Sequence, residues 1–147
     1  EGALSGLSQV RASTMDATLS SRPIGEKHGI IDADEGAYML DVSNVQPKLG
    51  LQGAFLSAVM VEREDESKIE RMLRFDRFLN HYAKGWHHHV LDERRQENIV
   101  IQTEGTKPAY DAYASSGILL AGEWVASSYE LADAAADTGR QCGQNIA

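Results

Sequence analysis

"AYMLDVSNVQPKLGLQGAFLSAVMVE", residues 37–62, decides the fold class. Two runs, Ala37–Val45 and Ala54–Glu62, are rich in β-branched and large apolar residues and have strand length. Between them lie Pro47, Gly50 and Gly53, which punctuate a wide hairpin connection. Strands joined in this way pair antiparallel, so the stretch predicts an antiparallel sheet. Gly29–Asp32 reads as a further strand, after a loop over 21–29 marked by Pro23, Gly25 and Gly29. Val10–Ser20 alternates as a strand, with Val10, Ala12, Thr14 and Asp16 on one face and Met15 and Ala17 on the other.

Downstream, Ser67 and Glu70 form an S-x-x-E capping box. The helix it opens is expected to run from Ser67 to Lys84 and to stop at Gly85. Ile69, Met72, Leu73, Leu79 and Tyr82 fall near one face, widened by Phe75 and Phe78. Ile99–Gln102 is a short strand, and the loop from Gly105 to Tyr113 contains Pro108. Strands followed by helices give an α+β class.

Composition narrows the function. The 147 residues allow one domain with a real core, and 42% are hydrophobic, which excludes a disordered tail. A net charge of −8 argues against nucleic acid and anionic membrane as partners, since both need a basic footprint. No apolar run reaches the ~20 residues of a membrane span. Cys142 is the only cysteine, which fits a reducing compartment and a cytoplasmic location.

The C-terminal stretch "GILLAGEWVASSYELADAAADTGR", residues 117–140, carries the most specific pattern. Ile118–Gly122 is an apolar run of strand length, as found in strands buried on both faces. Gly122 allows a turn or a close approach, and Glu123 follows at the strand end. Ser127 and Glu130 make a second capping box, predicting a helix from Ser128 to Ile146. Its expected inner face is Leu131, Ala135, Thr138, Cys142 and Ile146. Ligands of open α/β sheets collect at such corners, where a helix start offers free N–H groups. An ordinary strand–turn–helix with a surface glutamate reads equally well from the residues alone.

"SGILLAGEWV" followed by "LADAAADTGR" resembles the C-terminal flavin-binding segment of the FAD-dependent amine oxidase and phytoene desaturase superfamily. In that family an apolar strand ends in a Gly-Asp or Gly-Glu pair and a small-residue helix follows. "ASTMDATLS", "DVSNVQPKLGLQGAFLSAVM" and "KGW" resemble its substrate-domain strand, hairpin and helix end. The resemblance implies a substrate-domain portion over 1–113, with its antiparallel sheet and helix. It implies the closing strand and helix of a Rossmann-like FAD domain over 114–147. Gly122 and Glu123 would lie beside the pyrophosphate and ribityl part of FAD, and the amide of Ala132 beside the isoalloxazine. Trp124 would pack near the flavin or fill the domain interface. Leu131 stands where amine oxidases carry a cage tyrosine, and leucine favours a small apolar substrate, or one oxidised at carbon. The implied function is a flavin-dependent oxidoreductase passing a hydride from a substrate C–H to FAD, with no catalytic side chain assigned.

The family's G-x-G-x-x-G turn is missing, because no two of the 13 glycines are two positions apart. The expected partner is therefore an N-terminal dinucleotide-binding portion of the same protein, and homo-oligomerisation is allowed. No metal site is expected. The histidines of "WHHHV", residues 86–90, alternate in direction along a strand start, and "DERR", residues 92–95, reads as solvated charge. The alternative function is a cofactor-free module that binds a ligand or a protein through the sheet strands.

Overall fold

The computed structural model describes residues 6–50 and 53–146. They cluster into two compact units, one within Arg11–Ile99 and one built from residues 6–10 with 100–146.

The α+β reading and the antiparallel sheet are borne out. The sheet has five strands: β1 (Leu7–Leu19), β2 (Gly29–Asp32), β3 (Ala37–Asp41), β4 (Ala54–Val61) and β5 (Val90–Gly105). Their order is β2-β3-β4-β1-β5, so β2 and β5 are the edges. One helix, α1 (Lys68–Tyr82), belongs to the first unit, and another, α2 (Leu131–Ile146), to the second.

The register explains the first core. Met15 sits opposite Ala58, which sits opposite Met39, and Ala17 opposite Leu56. Large and small side chains alternate across each row, so the face interdigitates with what lies on it. Phe75, Phe78, Leu79, Ala83 and Trp86 complete this cluster from α1 and the turn after it. Each large apolar side chain so buried contributes about 1.5–3 kcal/mol.

The Ser67 capping box is present, with the Ser67 hydroxyl accepting from Glu70 N–H and the Glu70 carboxylate from Ser67 N–H. The expected apolar face of α1 is corrected, however. Arg74, Phe75, Phe78 and Leu79 are buried, whereas Ile69, Met72 and Leu73 face out. Arg74 takes a core position because its guanidinium finds enough acceptors there: Glu66 at 2.6 and 2.7 Å, and the carbonyls of Glu35 and Val61 at 2.8 Å.

Other boundaries move for local reasons. The strand expected over Ala37–Val45 stops at Asp41, whose buried carboxylate caps a 3₁₀ turn over Val42–Asn44 by accepting from Ser43 N–H at 3.1 Å. Leu51 and Gln52 of the predicted connection lie outside the described residues. Trp86–His89 is a 3₁₀ turn rather than a strand start, entered through Gly85 at φ 77°. The strand expected over Ile99–Gln102 is the last part of the much longer β5. The charges of 92–95 are in that strand, where Arg95 reaches Asp76 at 2.9 Å and lies over the Phe75 and Trp86 rings.

Candidate functional site

The C-terminal corner differs from the expected one. Ile118–Gly122 is no ladder strand, and its one bridge runs from Ile118 to Tyr113. Gly117, at φ 74°, turns the chain back, and Ile118 is 52% exposed rather than buried on both faces. The strand expected over Ile118–Gly122 is therefore not formed. A short apolar run suits a coil laid on a helix as well as it suits a strand. Leu120 accepts from the Cys142 thiol at 3.0 Å, and Gly122 N–H donates to Thr138 Oγ1 at 3.0 Å. The helix face meeting this coil is Ala134, Thr138 and Cys142, whereas Leu131 and Ile146 are exposed.

The second capping box is not made either. Ser127 Oγ accepts from Tyr129 N–H at 3.2 Å and donates to Asp137 at 3.0 Å, so it closes a tight turn instead. The helix begins at Leu131, whose φ of 51° sets it off from the preceding chain.

Among the proposed flavin contacts, Gly122 has φ +138° and its Cα lies against the Trp124 indole, where any Cβ would collide. Glu123 is partly engaged within the chain, its buried Oε2 having no hydrogen bond among the described residues. It accepts from Thr103 Oγ1 at 3.0 Å, and Lys107 Nζ reaches its carbonyl at 2.7 Å and its carboxylate at 3.5 Å. Leu131 and Ala132 are exposed. Gly122, Glu123 and Trp124 are thus drawn together by contacts among themselves and with neighbouring chain.

A second site was not singled out from the sequence. It lies in the Arg11–Ile99 unit, along the edge strand β2. Asp41 N–H donates to His28 C=O at 3.0 Å, which sets the phase of the β2–β3 ladder. Ile30 and Asp32 then exchange bonds with Met39 and Ala37, whereas Gly29 and Ile31 sit in non-bonded pairs with Leu40 and Tyr38. The N–H and C=O groups of Gly29 and Ile31 therefore point away from the sheet. They have no partner among the described residues, because β2 ends the strand order. On the face away from α1, Ile31 is 82%, Tyr38 41% and Leu40 44% exposed.

On the other face, α1 runs beside this edge. Arg74, Arg77, Phe78 and His81 recur at helical spacing and line a cleft of about 610 Å³ with Asn80, Tyr82, Asp32 and Glu35. Tyr82 Oη donates to Asp32 at 3.0 Å and Glu35 N–H donates to Asp32 at 3.1 Å. The Asp32 carboxyl is held below its usual range chiefly by the Glu35 N–H, and the Tyr82 phenol is pushed up by its bond to Asp32. Glu35 is paired with Arg63 at 3.1 Å. Arg77 is exposed and makes no ion pair or hydrogen bond among the described residues.

Hydrophobic periodicity could not reveal this cleft, because Arg77, Asn80 and His81 look like an ordinary solvated helix face. The available signal was the brevity of β2 beside the exposed Ile31. Among the described residues, no cluster of side chains could hold a metal ion and no helix is long and apolar enough to cross a membrane. No protein-family model, no curated protein and no solved structure matches this chain.

Proposed function

We propose that the chain is a protein-binding module that takes an extended peptide segment of a partner as an added strand at β2. The observation that carries this reading is the outward row of unpaired N–H and C=O groups on Gly29 and Ile31, set beside a helix-lined cleft. Main-chain hydrogen bonds to a strand edge give affinity, and alternate side chains give specificity. A peptide strand placed there would send every second side chain towards Arg77, Phe78 and His81. The side chains between would lie on the apolar ground of Ile31, Tyr38 and Leu40. Gly29 helps, since a Cβ there would stand 2.5 Å from Leu40 Cδ2.

A flavoprotein remains the second reading, supported by Gly122 in the left-handed region ahead of a small-residue helix. The engagement of Glu123 Oε1 by Thr103 favours the first reading, while the buried Oε2, 3.5 Å from Lys107 Nζ and without a hydrogen bond, supports the second.

The test is selection of peptides from a random dodecamer phage library, followed by amide chemical-shift mapping of an enriched peptide. Shifts are expected at Gly29–Asp32 and along the α1 stripe. Ile31→Pro removes one outward N–H without touching the β2–β3 ladder, and it should abolish binding while the fold persists. Undiminished binding by folded Ile31→Pro would overturn the proposal.

A further inference from the structure

Arg77 is placed to choose which peptide β2 accepts. Its side chain is exposed and unpaired, and it stands between the cleft beside β2 and a second cleft lined by Arg63, Glu64, Asp65, Glu66, Glu70, Leu73 and Arg74. The neighbouring charges are largely committed. Glu66 is taken by Arg74, Glu70 by Ser67, Glu35 by Arg63, and Asp32 by Tyr82 and the Glu35 N–H. Glu64 and Asp65 share the second cleft but make no ion pair with Arg77. Arg77 is therefore the arginine of the two clefts that has neither an ion pair nor a hydrogen bond among the described residues, while the carboxylates beside it are held by neutral donors, as Asp32 and Glu70 are, or lie in the second cleft, as Glu64 and Asp65 do. Its planar fork suits a carboxylate better than any neutral group.

We infer that this groove prefers an extended peptide with an acidic side chain at an inward-facing position, held by Arg77. The inference rests on strand addition at β2. The acidic side chain replaces water on Arg77 at the same time as the peptide backbone satisfies Gly29 and Ile31. Both groups then act on one ligand. Exposure of Arg77 keeps the gain modest and sensitive to salt.

The experiment is fluorescence polarisation with two fluorescein-labelled peptides, SVTVEVTVS and SVTVQVTVS, which differ only in the central inward-facing residue. The wild-type chain should bind the glutamate peptide about fivefold more tightly at low salt, and less so as salt rises. Arg77→Gln should weaken the glutamate peptide alone and bring the two affinities together. Equal affinities with the wild-type chain, or a preference that survives in Arg77→Gln, would overturn the inference. Ile31→Pro separates the two layers. Loss of both peptides in Ile31→Pro, with no glutamate preference in the wild-type chain, removes only the role of Arg77. Wild-type affinity for both peptides in folded Ile31→Pro removes strand addition itself, and binding of neither peptide at millimolar concentration removes both.

Discussion

Arg74→Met removes the guanidinium that ties α1 to the loop before it and to the β2–β3 turn, while keeping most of the side chain's length. The Arg74 side chain is 3% exposed and the Glu66 carboxylate that it grips is 9% exposed. Its four hydrogen bonds, 2.6 to 2.8 Å long, go to both Glu66 oxygens and to the carbonyls of Glu35 and Val61. Removing one partner of a buried pair leaves the other charge uncompensated, which costs about 3–5 kcal/mol. That is a large part of the ~5–15 kcal/mol that holds a domain folded. With a urea slope of about 1.5 kcal/mol per molar, the midpoint should fall by about 2–3 M. The assay is urea unfolding of the wild-type chain, Arg74→Met, Arg74→Lys and Arg74→Met/Glu66→Gln, followed by circular dichroism. Arg74→Lys keeps the charge and loses the fork, so it should fall between the wild type and Arg74→Met. The double variant should regain much of the loss, because no buried charge is left alone. A midpoint shift below about 0.5 M in Arg74→Met would refute this reasoning, and so would a double variant as unstable as the single one.

Other outcomes follow from the same contacts. Arg74 hydrogen bonds hold the Glu66 carboxyl below its ordinary value of 4.5, so its stabilising contribution is complete above that pH and is lost as pH falls through the lower folded value. Glu66→Gln should therefore show a shallower loss of stability with acid than the wild type in pH-stepped urea titrations. Thr138→Val takes the acceptor of the half-buried Gly122 N–H away from the fully buried position 138 and should cost about 1 kcal/mol, with faster exchange of the Gly122 amide. Ile30→Pro breaks a ladder bond that Ile31→Pro spares, so it should be the less stable of the two by at least about 1 kcal/mol in thermal unfolding. Glu123→Ala should lower stability by roughly 1–2 kcal/mol through the loss of Thr103 and Lys107 contacts. Tight FAD binding by the chain, lost in Glu123→Ala with stability unchanged, would instead favour the flavoprotein reading.

The elements that were legible in the sequence are those whose signal is local. β4 alternates buried and half-buried residues along its whole length, and the Ser67–Glu70 box marks the start of α1 within a residue. Only four residues of β5 carry a strand signal in the sequence, because its outer part buries neither face and so carries no alternation. Its charges are instead answered by α1, as in the Lys68–Glu97 pair at 3.0 Å. Charged side chains of this kind are what keeps a long edge from pairing at random. α1 was placed correctly but turned wrongly, because Ile69, Met72 and Leu73 outscore Arg74 on any hydrophobicity scale. Only the positions of Glu66 and two carbonyls explain why an arginine is buried instead. Ile118–Gly122 has the composition of a buried strand, yet its hydrogen bonds go to Tyr110 and Tyr113 of the preceding loop and to Thr138 and Cys142 of the following helix. The β2 groove depends on which side of a ladder two amides face, and that is a matter of register that composition does not encode.

Amide hydrogen exchange at residues 29–32, followed by NMR with and without a bound peptide, tests the account most directly. In the free chain the amides of Ile30 and Asp32 should be protected and those of Gly29 and Ile31 should exchange as in open solvent. On adding the selected peptide, Gly29 and Ile31 should become protected while Ile30 and Asp32 keep their rates. Protection of Gly29 and Ile31 in the free chain, or no change at either when the peptide is saturating, would contradict strand addition at β2.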